Sequence, residues 1–310
     1  MLAKEAKIYI AGHNGMVGSA CWTIFEKSGY LNLIGKTSSE LDLLNQKDTD
    51  DFIASTKPDL IIDAAAKVGG ILANESEPFE FLMKNMLIQN NLINSSHNHN
   101  ISKFIFLGSS CIYPKYAPQP LKEKYLLSGD LEPTNQWYAV AKISGVKLIE
   151  SLRKQYSRDY ISLMPTNLYG PNDNFDLNSS HVLPAMIRKF DHAKKNGVNK
   201  MELWGSGKPK REFLHVDDLA KCVLFAAEKN LRYPMYNVGT GVDITIEDLA
   251  TKVSQIVGYS GKIVWNTSKP DGTPRKLLDT KKINEAGWND EINLEEGIMR
   301  TYQWYKNHYS

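Results

Sequence analysis

Cysteine is scarce in this chain: three residues, Cys21, Cys111 and Cys222, lie far apart among 310 and form no CxxC pair. Their number and spacing exclude a disulfide framework and a structural zinc site, and fit a reducing compartment. Long apolar runs are missing as well. No stretch approaches the roughly 20 residues that span a bilayer. The N-terminal MLAKEAKIYIAG has neither the apolar stretch nor the cleavage site of a signal peptide, so a cytoplasmic protein is expected. Charge is not concentrated either: 37 Lys and Arg stand against 35 Asp and Glu, with no block of like sign. A net charge of +2 argues against nucleic acid or a membrane surface as partner and leaves an acidic small molecule open. Repeats and low-complexity tracts are absent. What is there, 42% apolar and 23% charged residues, excludes disorder, collagen and coiled coil and suffices for a large core divided into two lobes.

Along the first half, short β-branched runs alternate with longer helical segments, the rhythm of βαβ units around a parallel sheet. Strands are expected at 7–11 (KIYIA), 33–35, 60–63 (LIID), 104–108 (FIFLG) and 161–165 (ISLMP). Helices at 16–28, 48–56, 80–98 and 138–156 are long enough for right-handed crossovers. The expected fold is α/β, a doubly wound parallel sheet of the Rossmann type. After Pro165 the rhythm breaks, and 166–180 (TNLYGPNDNFDLNSS) reads as a long functional loop. Helices at 182–196, 217–229, 246–257 and 294–306, with short strands near 201–204 and 263–265, suggest a smaller α/β lobe. The division expected is 1–165 for the first domain, with 212–240 returning to it, and 166–211 plus 241–310 for the second lobe.

Gly12-His13-Asn14-Gly15-Met16-Val17-Gly18 follows the first strand and opens the first helix. Glycines at GxxGxxG spacing let backbone N–H groups approach a pyrophosphate at the positive end of the helix dipole, and the last lets helix pack on strand. A plain tight turn uses glycine too; the strand–turn–helix setting favours a dinucleotide. NAD sites place a carboxylate about 20 residues on, at the end of the second strand. Here Lys36, Thr37, Ser38 and Ser39 stand in that region and no carboxylate occurs until Glu40, so NADP(H) is the expected cofactor. The alternative is that Lys36 is an ordinary solvated lysine.

Tyr138 and Lys142 are four apart on a helix and share a face. A phenol titrates near 10, and a cation about 4 Å away can supply the roughly 4 kcal/mol that would bring it toward neutrality. Ser109 ends the fourth strand, where open sheets bind ligands. The three form a candidate proton-transfer constellation. Asp217 and Asp218 read as caps of the helix that follows them.

These elements in this order resemble the extended short-chain dehydrogenase/reductase superfamily, whose members transform nucleotide sugars. The strings GHNGMVGSA, AAAKVGGI, LGSSCIYP, PTNLYGPNDNF, SHVLPA and KPDGTPRKLLD are similar to the GDP-L-fucose synthase family within it, across nearly the whole chain. The resemblance implies an NADPH-dependent enzyme that epimerises C3 and C5 of GDP-4-keto-6-deoxy-D-mannose and reduces C4, giving GDP-L-fucose. It implies that Tyr138 protonates the C4 oxygen, that Lys142 holds the nicotinamide ribose and depresses the tyrosine pKa, and that Ser109 shares the substrate oxygen. Cys111 and His181 would be the proton-transfer pair at C3 and C5. Thiolate and imidazole titrate near neutrality, as removal and return of an acidic proton beside a ketone require. Read without the family, Cys111 is a packing residue and His181 a helix-start surface residue.

For the cofactor the resemblance adds Leu41, Leu107, Gly108, Pro165, Asn167, Leu168 and His181 to the residues above. For the GDP-sugar, bound by the smaller lobe, it nominates Lys189, Trp204, Arg211 and Asp271: guanidinium and ammonium for the diphosphate, indole for a ring face, carboxylate for hydroxyls or guanine donors. Residue by residue, a helix surface, a core tryptophan, a surface ion pair and a PDG turn are the alternatives. Two departures stand out: Ser38 occupies a position where many relatives carry arginine for the 2′-phosphate, and Trp137 flanks Tyr138. A GDP-4-keto heptose reductase, with or without epimerisation, is the alternative enzyme. A non-catalytic NADP sensor is the alternative outside enzymes, disfavoured by Ser109, Tyr138 and Lys142. No metal is implied. Related enzymes pair through the helices expected at 80–98 and 138–156, so a homodimer is expected.

Overall fold

Alternation along β1 (Ile8–Ala11) shows how the sheet is built: Ile8 and Ile10 face one apolar cluster, Tyr9 and Ala11 the other, and all four are buried. The computed structural model describes residues 2–177, 179–269 and 271–309; Asn178 of the expected loop and Pro270 of the KPDGTPRKLLD string lie outside them. After β1 come α1 (Met16–Lys27), β2 (Leu33–Ile34), α2 (Gln46–Thr56), β3 (Leu60–Asp63), α3 (Ile71–Ser76), α4 (Pro78–Asn98), β4 (Lys103–Leu107), α5 (Gln136–Tyr156) and β5 (Asp159–Pro165). β6 (Asn167–Tyr169), α6 (Val182–Lys195), β7 (Lys200–Trp204), β8 (Lys210–His215), α7 (Val216–Glu228) and β9 (Met235–Val238) follow. β10 (Asp243–Thr245), α8 (Ile246–Val257), β11 (Lys262–Asn266), β12 (Arg275–Lys276), α9 (Lys281–Glu285) and α10 (Leu294–Tyr309) complete the described chain.

The main sheet has six parallel strands in the order β2-β1-β3-β4-β5-β9. Helices cover both faces, so its strands are continuous apolar runs rather than half-polar ones. The doubly wound fold is as expected. Each fully buried Ile or Phe of these strands contributes about 2–3 kcal/mol relative to exposure. Chain order reverses between β1 and β3, and that switch point opens a crevice beyond their C-terminal ends. A separate cluster built on α6, α8 and α10 holds the second lobe. There β8 pairs with β10, β12 and β6, and β11 pairs with β7. Among the described residues no helix is long and apolar enough to cross a membrane.

Three expectations need correcting. The segment read as one loop from 166 to 180 contains β6, in register with Phe213, Leu214 and His215 of β8. Asn, Asp and Ser are prominent in its composition, but Leu168 and Tyr169 pack inward and a neighbouring strand satisfies the backbone. Strands β8 and β9 were not expected at all; β9 completes the main sheet beside β5. Finally, Asp217 and Asp218 are not the N-cap of α7. That position is His215, whose Nδ1 accepts from the Asp217 N–H at 3.2 Å, while the buried Asp218 carboxylate accepts from the N–H groups of Glu291 and Ile292 at 3.1 and 2.8 Å.

Candidate active site

The turn after β1 is built to receive an anion. Gly12 has φ +77°, a left-handed conformation suited to glycine, and a Cβ there would meet the Ala64 carbonyl at 2.8 Å. A Cβ at Gly18 would strike the Gly12 carbonyl, so only glycine lets α1 sit this close to the turn. Gly15 is the N-cap of α1 and offers no side-chain cap, and the first turn has no acidic residue. The first N–H groups of α1 are left for a ligand, at the positive end of its dipole. These residues fit a dinucleotide. His13, Asn14, Met16 and Val17 line the same turn, and a Cβ at Gly35 would run into the His13 ring, so the turn touches the end of β2.

Beyond β2, Lys36 is partly exposed, and its Nζ lies 3.7 Å from Glu40. It is therefore neither a freely solvated lysine nor an unopposed cation. The Glu40 carboxylate accepts from the Thr37 N–H and hydroxyl at 2.8 Å each, which with Lys36 holds it below the usual carboxylate range. Ser38 and Ser39 are exposed on this turn, and Leu41 is buried beneath it.

Across the switch point, α5 closes on β4 because Gly145 has no side chain: a Cβ there would come within 2.5 Å of the Phe106 ring. One turn earlier on the same face, the buried Lys142 places its ammonium 4.7 Å from the Phe106 ring centroid and donates to the Leu107 carbonyl at 2.9 Å. The Tyr138 ring centroid is 5.9 Å from that ammonium. The expectation that lysine depresses the phenol pKa does not hold in this arrangement. Burial, with Cys111 and Asp63 nearby, pushes the Tyr138 phenol above its ordinary value, and burial pushes the Lys142 ammonium below its own. Tyr138 stands protonated at neutral pH, poised to donate. Ser109 accepts the Cys111 N–H through its hydroxyl oxygen at 3.2 Å, which keeps the hydroxyl proton available.

Asp63, at the end of β3, was not singled out by the sequence. It is fully buried, in register with Phe106, with one carboxylate oxygen unpartnered among the described residues. Burial pushes its pKa up to about 6, against the opposing pull of Lys142 and the Ala65 N–H. An unfolded aspartate titrates near 4, so between about pH 4 and 6 the native state binds the extra proton and stability falls as pH rises, by roughly 2–3 kcal/mol in all. Asp63→Asn should therefore melt above wild type at pH 8, the advantage fading toward pH 4. An unchanged difference in melting temperature across that range would reject this reading.

Cys111 lies in the short helical turn Ser110–Ile112 that follows Ser109. The Cys111 Sγ accepts from Asn135 Nδ2 at 3.3 Å and from Lys276 Nζ at 3.5 Å. His181 is the N-cap residue of α6 and retains solvent access, while crowding by protein and then Lys276 hold its imidazole below the ordinary value, hence neutral at pH 7. Asn135 and Lys276 were not named as site residues; the only sequence signal was their place beside Tyr138 and within KPDGTPRKLLD.

In the second lobe, Trp204 is 52% exposed, which excludes the core alternative. Lys189 and Lys269 bring ammonium groups to 5.8 and 5.0 Å from its ring. Asp271 accepts from the Ser206 N–H at 2.6 Å and the Ser206 hydroxyl at 2.8 Å, stapling two loops rather than forming a turn alone. Burial lowers the Arg211 pKa against the opposing fields of Cys111, Glu132 and Asp271. Glu212, its neighbour, is buried and accepts from the Gly241 and Leu278 N–H groups at 2.7 and 2.9 Å. Its carbonyl takes Asn167 Nδ2 at 2.8 Å, and Leu168 follows in the β6–β8 pairing. Gly108 donates its N–H to Leu163, and Pro165 pairs with Val238, so these backbone positions border the crevice as parts of the sheet.

Residues 8–239 match the NAD dependent epimerase/dehydratase family. GDP-L-fucose synthase 1 of Arabidopsis thaliana is 50% identical over 305 residues, covering 98% of this chain and 94% of that protein. GDP-L-fucose synthase of Escherichia coli is 50% identical over 311 residues, covering 97% of each chain. Among solved structures, a GDP-mannoheptose C4 reductase from Campylobacter jejuni with NADP bound superposes with a TM-score of 0.91 at 39% identity, covering 99% of this chain and 100% of that one.

Proposed function

From a chain that belongs to the NAD dependent epimerase/dehydratase family, we propose an NADP(H)-dependent epimerase–reductase that converts GDP-4-keto-6-deoxy-D-mannose to GDP-L-fucose. The observation that carries this reading is a thiol held by two donors in the surroundings of a buried phenol. A plain 4-reductase needs only the phenol. The Gly12–Gly18 turn would hold NADPH, which when bound would supply hydride at C4. Tyr138 gives its proton to the C4 oxygen, Ser109 holds that oxygen, and Lys142 orients the ribose and replenishes the proton path. Cys111 takes the proton from C3 and C5, and His181 returns one from the opposite face. Lys189, Trp204, Arg211 and Asp271 bind the GDP portion. The two-lobe division follows the same logic, with 1–165 and 212–240 carrying cofactor and the remainder carrying nucleotide sugar.

The heptose reading draws support from the Campylobacter structure. Purified protein offered both 4-keto sugars separates the two: a higher kcat/KM for the 6-deoxy-mannose derivative is expected, and preference for the heptose reverses the assignment.

NADPH should exceed NADH in kcat/KM, with Lys36, Ser38 and Ser39 facing the 2′-phosphate. The Lys36–Glu40 pair makes the margin modest, because binding the phosphate means drawing Lys36 from its carboxylate. Lys36→Ala with Ser38→Ala should erase most of it; unaltered selectivity would place the phosphate elsewhere.

The protein is read as a cytoplasmic homodimer. α4 and α5 pack together and leave Met83, Leu87, Val140, Leu148 and Tyr156 exposed, an apolar face suited to a second copy. Light scattering at micromolar concentration should give twice the chain mass, and a monomeric mass would remove this part of the reading.

A further inference from the structure

Two cations approach Cys111, and their situations differ. Arg211 is largely enclosed and feels Glu132 and Asp271 as well as the thiol. Lys276 is half-buried on β12, directly beside Arg211 in the parallel pairing with β8, and its ammonium donates to the Cys111 sulfur at 3.5 Å. Among the described residues no carboxylate lies within ion-pair distance of Lys276. Glu132, which borders the same small cavity, is already taken by Lys115 at 3.0 Å and Thr273 at 3.1 Å. Asn135 supplies the second donor to sulfur at 3.3 Å and keeps its own buried carbonyl oxygen unpartnered.

We propose that Lys276, assisted by Asn135, is the positioning residue of the epimerisation site, holding the Cys111 sulfur in place as the base. The assignment rests on the epimerase–reductase reading above. The bookkeeping is simple. The thiol proton leaves to solvent, the thiolate takes a proton from the carbon beside the ketone, and the electron pair of that C–H bond moves to the enolate oxygen. Lys276 keeps its charge throughout, so the negative charge that leaves sulfur stays within the field of the same cation. Lys276 and Asn135 donate to the thiol, Arg211 and Tyr138 are in its electrostatic surroundings, and Lys115, Glu132 and Arg275 line the same cavity.

The test reads the thiol without the substrate. Cys21 and Cys222 have no exposed surface, so the rate of iodoacetamide alkylation as a function of pH reports Cys111, with Cys111→Ser as the blank. A cation at this distance in a half-open cleft is worth about one to two pH units. Lys276→Met should move the midpoint of the alkylation profile up by about that amount, and Lys276→Arg should restore most of it. Lys276→Gln repeats the measurement in a polar side chain in case Met disturbs the cleft. Superimposable profiles for wild type and either uncharged variant would overturn the role of Lys276, whatever the enzyme's substrate. In D2O, Lys276→Met should also slow deuterium uptake at C3 and C5 about tenfold at pH 7, with recovery toward pH 9. Absence of uptake in wild type would instead overturn the epimerase reading on which the proposal rests, while the alkylation profiles still decide the contact.

Discussion

Tyr138→Phe is expected to slow reduction by about two to four orders of magnitude at saturating cofactor while substrate and cofactor binding survive. The ring stays, so its edge-to-face contact with Phe81 at 6.5 Å is retained, and only the proton donor is lost. The raised pKa of this phenol adds a second expectation, worked through its sign. A tyrosine held above its ordinary value near 10 stays protonated through neutral and mildly alkaline pH, so the reductive direction should show no loss from tyrosine ionisation below about pH 10. A falling limb near pH 7 that disappears in Tyr138→Phe would mean that a bound ligand reverses the electrostatics described here. Near-native turnover of the variant would mean the proton comes from elsewhere.

Cys111→Ser should nearly abolish deuterium exchange at C3 and C5, because a serine hydroxyl is far too weak an acid to provide the base at neutral pH. Tyr138→Phe should leave most of that exchange intact, since the role proposed for the phenol is at the C4 oxygen. The opposite face has its own signature. The proposed role of His181 is to return the proton on that face. His181→Ala should permit exchange on the thiol side yet give little inverted product. Equal exchange in wild type and Cys111→Ser would make Cys111 a packing residue.

The first half of the molecule was legible because the physics is local. KIYIA followed by glycines, or a tyrosine and lysine four apart on a helix, define strand, turn and shared face within a few residues of one another. What was not legible depends on partners distant in the chain. β6 is a strand only because β8 lies alongside it, and the Asn- and Asp-rich segment around it hides that. His215 displaces two aspartates as a helix cap because its ring is aimed by burial, which no spacing rule encodes. The charge states of the site fall in the same category. The Tyr138–Lys142 pair was visible, but burial and a backbone carbonyl at Leu107 decide where the ammonium goes. Lys276 meets Cys111 across 165 residues of sequence. Resemblance nominated Cys111 and His181; only the fold shows which donors stand beside the thiol.

The most direct test of the central reading is the isotopic content of product formed from GDP-4-keto-6-deoxy-D-mannose and NADPH in D2O. The account predicts GDP-L-fucose with deuterium at both C3 and C5. A reduced sugar of unchanged configuration with no deuterium at either carbon would contradict it and leave a simple 4-reductase.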